Sequence, residues 1–458
     1  MKKHAIRFRF TIIVVKIATK LLKLMGKNAT HLPGWLANKL CPDFLGHLEK
    51  PEKTVYITGT NGKTTVSNLT ASVLKDNGYE FVNNASGSNV SEGVISALLA
   101  KSTFFGKAKC KYAVLEVDER YSTLIYPYMQ PDFLLCTNLF RDSYKRNAHS
   151  EFIFGILDSQ IPKHTKLILN GEDLISNHLA MENDRCYFGI SCPDGHSSSQ
   201  NIIKDIIACP KCGSLLEFDY IRYNHIGRGH CPNCDFGSPE MDYTVESIDY
   251  DNHRCRVKTP VGNYDFKLLG DNVTDIYNEI AAIALLAELG LDMDTICKSI
   301  EKQEIAKSRY RVERVKEKEI IFNLAKGQNP IACSRVCDFI SHEPGRKTVV
   351  CMFDDFFDAK ETSENMAWIF DIDFEFLNID SVVQIVCSGK RNQDMHLRLL
   401  MAGIPEEKIS CCDSETEAAA KVNTDITDRI YLLYDVYTTQ YAEKAYEDLK
   451  QRLEGGNA

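Results

Sequence analysis

The sequence predicts an α/β protein. A central P-loop ATP-binding domain spans residues 46–305 and carries an inserted four-cysteine zinc ribbon at about 204–240, and a Rossmann-like α/β domain follows over 306–458. Three observations carry this reading. They are a strand, glycine loop and helix around residue 60, two Cys-x-x-Cys pairs at 209–234, and strands alternating with helical stretches after residue 306.

A chain of 458 residues has room for two to four domains and more than one buried core. With 44% hydrophobic and 26% charged residues it has the composition of a globular enzyme, which disfavours disorder and a multispan membrane protein. A formal charge of −9 argues against a general nucleic-acid-coating protein, because phosphate binding needs a basic surface. The 17 cysteines are odd in number, and no cleavable secretory signal stands before them. A reducing cytosol is expected, with most thiols buried and some reserved for metal.

Residues 1–45 form a basic segment. No Asp or Glu occurs before Asp43, and charges interrupt every apolar run before it reaches the length of a membrane-spanning helix. Lys16, Lys20, Lys23 and Lys27 recur at helical spacing opposite apolar residues. Two readings stand: a helix lying on the anionic inner face of the cytoplasmic membrane, or a packing helix with a solvated basic face. His31-Leu32-Pro33-Gly34 breaks this helix.

Thr54–Thr58 is a β-branched strand, and Val66–Leu74 reads as a helix. Between them lies Gly59-Thr60-Asn61-Gly62-Lys63-Thr64-Thr65, a phosphate cradle. Gly59 and Gly62 permit the tight backbone that turns N–H groups toward phosphate oxygens at a helix N-terminus. Lys63 is placed to neutralise the β- and γ-phosphates, and the Thr64 hydroxyl to ligate Mg²⁺. Ile57 stands where the general P-loop pattern has its first glycine.

Cys209-Pro210-Lys211-Cys212 and Cys231-Pro232-Asn233-Cys234 have zinc-ribbon spacing, and four thiolates close a tetrahedron around a structural ion. His225 and His230 inside the loop are then surplus and are expected at the surface. None of the cysteines sits in a Gly-x-Cys-x-Gly elbow; Cys387 comes nearest and lacks the first glycine. A glutamine-hydrolysing nucleophile is therefore not expected in this chain.

The run Thr58–Thr65 resembles the phosphate loop of the Mur ligase family, and the resemblance extends over roughly residues 5 to 445. It implies a metal-binding glutamate at the end of strand 112–119, with Glu116 the better match and Glu119 the alternative. It implies an adenine-side motif at Gly270-Asp271-Asn272 and Tyr277-Asn278, making Asn272 and Asn278 nucleotide contacts. Asparagine at such a position is also a common helix cap. Arg311, in Tyr310-Arg311-Val312-Glu313, matches an arginine that reaches phosphate when the C-terminal domain closes. Arg141-Asp142-Ser143 replaces the Asp-His pattern that holds metal in amino-acid-adding members.

The ribbon, the basic N-terminus and Asn138-Leu139-Phe140-Arg141-Asp142 together resemble one branch of the family. Its members are ligase subunits of a glutamine-hydrolysing lipid II isoglutaminyl synthase. The branch implies ATP and Mg²⁺ as cofactors and amidation of a D-glutamate α-carboxyl on lipid II. It also implies ammonia supplied by a GatD-type glutaminase as heterodimer partner. Asp355, or Asp354 beside it, then completes the partner's Cys-His pair, and Lys326 with Asn329-Pro330 loosely resembles a Lys-Asn-Pro motif. Two other functions compete: a Mur-like ligase adding an amino acid to a peptide or folate-type carboxylate, and a nucleotide-switched zinc-ribbon binding protein. The missing histidine disfavours the first and net acidity the second.

Overall fold

The computed structural model describes residues 2–26, 30–84, 88–141, 149–191, 201–304, 310–325, 329–353, 367–435 and 437–455. The chain folds as two compact units. Residues 1–140, 149–198 and 206–306 make up the first, and 141–148, 199–205 and 307–458 the second.

Unit 1 is built on a nine-stranded sheet. In chain order its strands are β1 (Lys53–Thr58), β2 (Phe81–Asn83), β3 (Tyr112–Glu116), β4 (Phe133–Cys136), β5 (Lys166–Asn170) and β6 (Arg185–Ile190), followed after the hairpin β7 (Glu217–Tyr223) and β8 (Ile226–His230) by β9 (Tyr243–Asp249), β10 (Arg254–Thr259) and β11 (Gly262–Lys267). The spatial order is β11-β10-β9-β6-β5-β4-β1-β3-β2, parallel from β9 to β2 and antiparallel from β9 to β11. The central strands are near-continuous apolar runs because both faces are covered: Val55, Tyr56, Ile57, Val114, Leu115, Leu134 and Leu135 are all fully buried.

The covering helices are α1 (Lys2–Leu24), α2 (Leu32–Leu40), α3 (Lys63–Asp76), α4 (Ser91–Ala100), α5 (Ser122–Ile125), α6 (Ser150–Gln160), α7 (Val273–Glu288) and α8 (Met293–Glu301). Helix α7 packs on α3, β5 and β6 and is buried from Ile276 to Leu286. Ala281, Ala282 and Ala284 keep it thin enough to lie between these neighbours.

The N-terminal segment is a working part of unit 1. Phe8, Ile12 and Val15 of α1 are buried, and Lys16 turns inward to donate to the carbonyls of Leu99 (2.8 Å) and Ser102 (2.7 Å). This corrects the expected separation of one apolar face from an opposing lysine stripe. The apolar residues occupy two faces of α1 and the lysines run between them. Lys27 lies outside the described residues.

Unit 2 carries a six-stranded sheet of order β12-β13-β17-β14-β15-β16, from β12 (Tyr310–Val315), β13 (Lys318–Leu324), β14 (Lys347–Met352), β15 (Val382–Ser388), β16 (Ile409–Cys412) and β17 (Arg429–Tyr434). Only β12 is antiparallel to its neighbour. Helices α9 (Pro330–His342), α10 (Ala367–Phe370), α11 (Asn392–Met401), α12 (Ala418–Lys421) and α13 (Thr439–Glu454) alternate with the strands. Two apolar clusters form its core, one around Val349, Cys351, Ile385 and Leu433, the other around Ile320, Val350, Leu432 and Leu449. Asn201 and Ile202 join this unit through Asp373, whose oxygens accept from the Asn201 amide and the Ile202 N–H at 2.7 Å each.

Candidate nucleotide site and four-cysteine cluster

The loop between β1 and α3 is held open by its neighbours. Gly59 (φ +123°) and Gly62 (φ +90°) take backbone angles that side chains disfavour. A Cβ on Gly59 would strike the Thr137 hydroxyl, and one on Gly62 the Asn278 amide. The segment after β4 clamps the turn between them. Asn138 accepts from the Asn61 N–H (3.0 Å) and donates to the Asn61 carbonyl (3.1 Å), its own carbonyl accepts from the Thr60 N–H (2.9 Å), and Thr137 donates to the Asn61 carbonyl (2.6 Å). The Thr60 hydroxyl accepts from the Phe140 N–H at 2.9 Å. Thr65 follows in the first turn of α3. Asn138 entered the sequence reading only as the start of the Asn138–Asp142 motif, with no role at the phosphate loop, and the signal for Thr137 and Asn138 as clamps is their place at the exit of an apolar strand next to β1.

Two acids face this loop in different ways. Glu119 Oε1 accepts from the Gly59 N–H (2.8 Å) and lies 3.2 Å from Lys63 Nζ, which also donates to the Gly59 carbonyl. Burial alone would raise the Glu119 carboxyl, but the Lys63 charge and these hydrogen bonds hold it below the usual carboxylate range. Glu116 Oε2 accepts from the Thr64 hydroxyl at 3.0 Å. Its other oxygen, Oε1, is buried with no hydrogen-bond partner. Burial is the main reason its pKa is raised, with Thr64 and Lys63 opposing. A buried carboxylate oxygen left open beside a hydroxyl, at the N-terminus of a phosphate-loop helix, is a donor set suited to a hard divalent cation. The strand was expected to run to Glu119. It ends at Glu116 because Asp118 caps a tight turn over Glu119–Tyr121, accepting from the Arg120 N–H at 3.1 Å.

The two asparagines part company. Asn272 is the N-cap of α7, its side chain accepting from the Asp275 N–H at 3.0 Å. Asn278, on the buried face of the same helix, presses on Gly62. In unit 2, Arg311 is held by Glu443 through two 2.8 Å contacts and stacks 3.6 Å from the Phe322 ring centroid. A role at phosphate therefore requires Arg311 to give up Glu443. Asp142, Ser143, Lys326, Asp354 and Asp355 lie outside the described residues. Asn329 caps α9, accepting from the Ala332 N–H at 2.9 Å.

Cys209, Cys212, Cys231 and Cys234 converge, all four sulfurs lying within 4.8 Å of one another. Each pair sits on a knuckle: Gly213 N–H donates to the Cys209 carbonyl (2.8 Å) and Cys231 N–H to the Phe236 carbonyl (2.8 Å). No disulfide joins the described cysteines. His225, expected at the surface, is 1% exposed. It sits at the turn of the β7–β8 hairpin, against the Phe140 ring (centroids 4.6 Å apart) and 3.0 Å from Asp173 Oδ1. Asp173 Oδ2 accepts from the Leu139 N–H at 2.7 Å. The cysteine-bound insert thus supports the segment that clamps the phosphate loop. His230 is exposed, as expected.

Residues 57–200 match the Mur ligase middle domain and residues 326–439 the MurT ligase C-terminal domain. Two solved structures share the fold. The pseudomurein peptide ligase type C from Methanothermus fervidus has a TM-score of 0.66 at 20% identity, covering 90% of this chain and 83% of that one. The MurF ligase from Thermotoga maritima in complex with ADP has a TM-score of 0.58 at 14% identity, covering 92% and 84%. Fold and phosphate loop together define a ligase of the Mur class.

Among curated relatives, the MurT subunit of lipid II isoglutaminyl synthase (glutamine-hydrolyzing) from Staphylococcus aureus is 34% identical over 85% of this chain and 87% of its own length. The Streptococcus pneumoniae counterpart is 30% identical over 85% and 86%. The chain belongs to the MurT family and is an ATP-dependent ligase subunit.

Proposed function

We propose that this chain amidates the α-carboxyl of D-glutamate in the lipid II stem peptide to D-isoglutamine, with ammonia from a GatD-type glutaminase. The observation that carries the ligase half is the Glu116–Thr64 pair beside Lys63, with one carboxylate oxygen buried and open. The N–H groups of the first turn of α3, beginning at Lys63, bind and orient the ATP phosphates, while those of Gly59, Thr60 and Asn61 are spent on Glu119 and Asn138 and fix the shape of the turn. Lys63 exchanges part of its contact with Glu119 for phosphate oxygen. Thr64 and Glu116 are the groups that would hold Mg²⁺, which when bound neutralises charge on the transferring phosphoryl group.

A carboxylate is a poor electrophile. Its oxygen attacks the γ-phosphorus, the bond to ADP breaks, and an acyl phosphate forms. Ammonia then attacks the acyl carbon, phosphate leaves and the nitrogen loses a proton. Arg311 is the residue that would reach phosphate when the C-terminal domain closes, and that closure would also exclude water. Asn278 borders the loop, and Asn272 is supported for the purine side only by its motif.

The four sulfurs suit a structural Zn²⁺ with no open position, whose effect on catalysis is exerted through the hairpin and His225. Asp355, with Asp354 as the alternative, is the residue proposed to orient the glutaminase histidine. In a ligase whose acceptor is lipid-linked, the protein works in the cytoplasm at the inner membrane face.

Mass spectrometry of lipid II incubated with ATP and Mg²⁺ tests the proposal. A loss of about 1 Da with ammonium, or with glutamine plus the partner, supports it; addition of a whole amino acid overturns it. Asp355→Asn should lose glutamine-dependent amidation and keep the ammonium-dependent reaction, while Lys63→Ala should fail with both.

A further inference from the structure

Helix α1 leaves a second apolar face uncovered. Ile6, Phe10, Ile13, Ile17, Leu21 and Leu24 are 47% to 74% exposed. Their spacings of 4, 3, 4, 4 and 3 place them on one stripe, opposite buried Phe8, Ile12 and Val15. The stripe runs for about 27 Å at 1.5 Å per residue. A row of this length on a helix that already spends its other face on the core is not accounted for by folding.

The borders of the stripe indicate what covers it. Arg9, Lys20 and Lys23 are exposed along one flank and Arg7 along the other, and no acid occurs among residues 1–42. The loop after α4 lies alongside, since Gly106 abuts the Phe8 ring and Lys16 Nζ stands 5.5 Å from the Phe104 ring centroid. That loop exposes Phe104 and Phe105, the latter 76% accessible. No helix of the described residues is long and apolar enough to cross a membrane.

We infer that the outward stripe of α1, with the Phe104–Phe105 loop, is a docking face for an anionic lipid surface. Its apolar side chains enter the boundary between headgroups and acyl chains, and Arg7, Arg9, Lys20 and Lys23 meet lipid phosphates. The helix lies in the plane of the membrane and does not traverse it. The inference draws its biological sense from the proposed lipid-linked acceptor, but its geometry stands apart from that reading. Attachment at this face would convert the search for acceptor from three dimensions to two.

Flotation of the full-length chain with vesicles of phosphatidylglycerol and phosphatidylcholine in equal parts, against phosphatidylcholine alone, is the test. The wild type should float with the anionic vesicles and lose binding in high salt. Ile13→Asp/Ile17→Asp, and separately Lys20→Gln/Lys23→Gln, should weaken binding by about tenfold or more. Because all four positions are exposed or flank the exposed stripe, the melting temperature should hold, and the lysine pair serves if the aspartate pair misfolds. Wild-type chain that ignores anionic vesicles, or both variants floating like wild type, overturns the inference. So does a variant that keeps vesicle binding but loses co-purification with the glutaminase or changes its oligomeric mass, which assigns the face to a protein partner. Amidation of detergent-dispersed lipid II is measured in parallel. Its absence in the wild type would sink the functional proposal and leave the docking result standing.

Discussion

Thr64 and Glu116 meet through a single hydrogen bond of 3.0 Å, and the carboxylate oxygen that Thr64 does not touch is buried without a partner. An unsatisfied buried carboxylate oxygen is costly, and structures retain such groups where a ligand completes them. Glu116→Gln should keep the shape and remove the charge. ATP-dependent amidation is expected to fall by about 100-fold or more, with the Mg²⁺ concentration for half-maximal rate raised. Steady-state kinetics over a Mg²⁺ series decide it; an unchanged Mg²⁺ dependence would remove Glu116 from the cation site.

Lys63 and Glu119 form a buried pair, with side chains 13% and 3% exposed. Lys63→Met leaves the Glu119 carboxylate buried with the Gly59 N–H but without its cation, so the variant should lose stability by about 3 kcal/mol or more as well as activity. Glu119→Gln in the same chain should restore most of the stability and none of the activity. Urea denaturation of the two single variants and the double variant checks this, and additive losses would refute it.

Glu279, on α7, gives a pH dependence of opposite sign to that of a paired acid. Burial, helped by the Asp275 charge, pushes its carboxyl from 4.5 up to about 8, against the Leu269 N–H, 2.9 Å from Oε2, and the Lys267 charge. The folded chain therefore holds a proton there that the unfolded chain releases near pH 4.5. The contribution is full below pH 4.5 and is lost as the pH rises toward about 8. This amounts to roughly 5 kcal/mol across the window. Glu279→Gln should flatten the profile, as read by denaturation midpoints along a pH series; an unaltered slope would mean that another group sets it.

If the four cysteines hold the proposed zinc, the wild type should contain about one ion per chain, and Cys209→Ser should lower that content and reduce thermal stability. His225→Ala should leave zinc content unchanged yet weaken ATP binding, because Leu139 and Phe140 lose their support. Elemental analysis beside nucleotide titration separates the two, and ATP affinity unaffected in both variants would disconnect the insert from the site.

The phosphate loop was legible because its evidence is local: a β-branched run, two glycines at fixed spacing and a helix. The cysteine cluster was legible for the same reason. His225 was not. It follows Asn224, which adopts φ +47° as a turn residue does, and nothing nearby in the chain records that the turn is thrust against Asp173. Glu116 and Glu119 could not be ranked by geometry from sequence, since a cap by Asp118 rather than any apolar pattern ends β3. In α1, apolar residues on two faces read as one amphipathic pattern with a basic stripe until the buried set was distinguished from the exposed one.

Asp173 and His225 stand 52 residues apart in the chain and are both buried at their meeting point. Neither can be withdrawn from water cheaply by itself, so this corner of unit 1 closes only after β5 and the hairpin have each formed and found one another. Contacts of such sequence separation are slow to form. The nucleotide site is thus expected to form late in folding. A chain arrested before that step would carry most of the parallel sheet and still bind no ATP, so a shortage of the zinc proposed for the four cysteines should show first as a lower yield of competent molecules and only afterwards as slower turnover by those that mature.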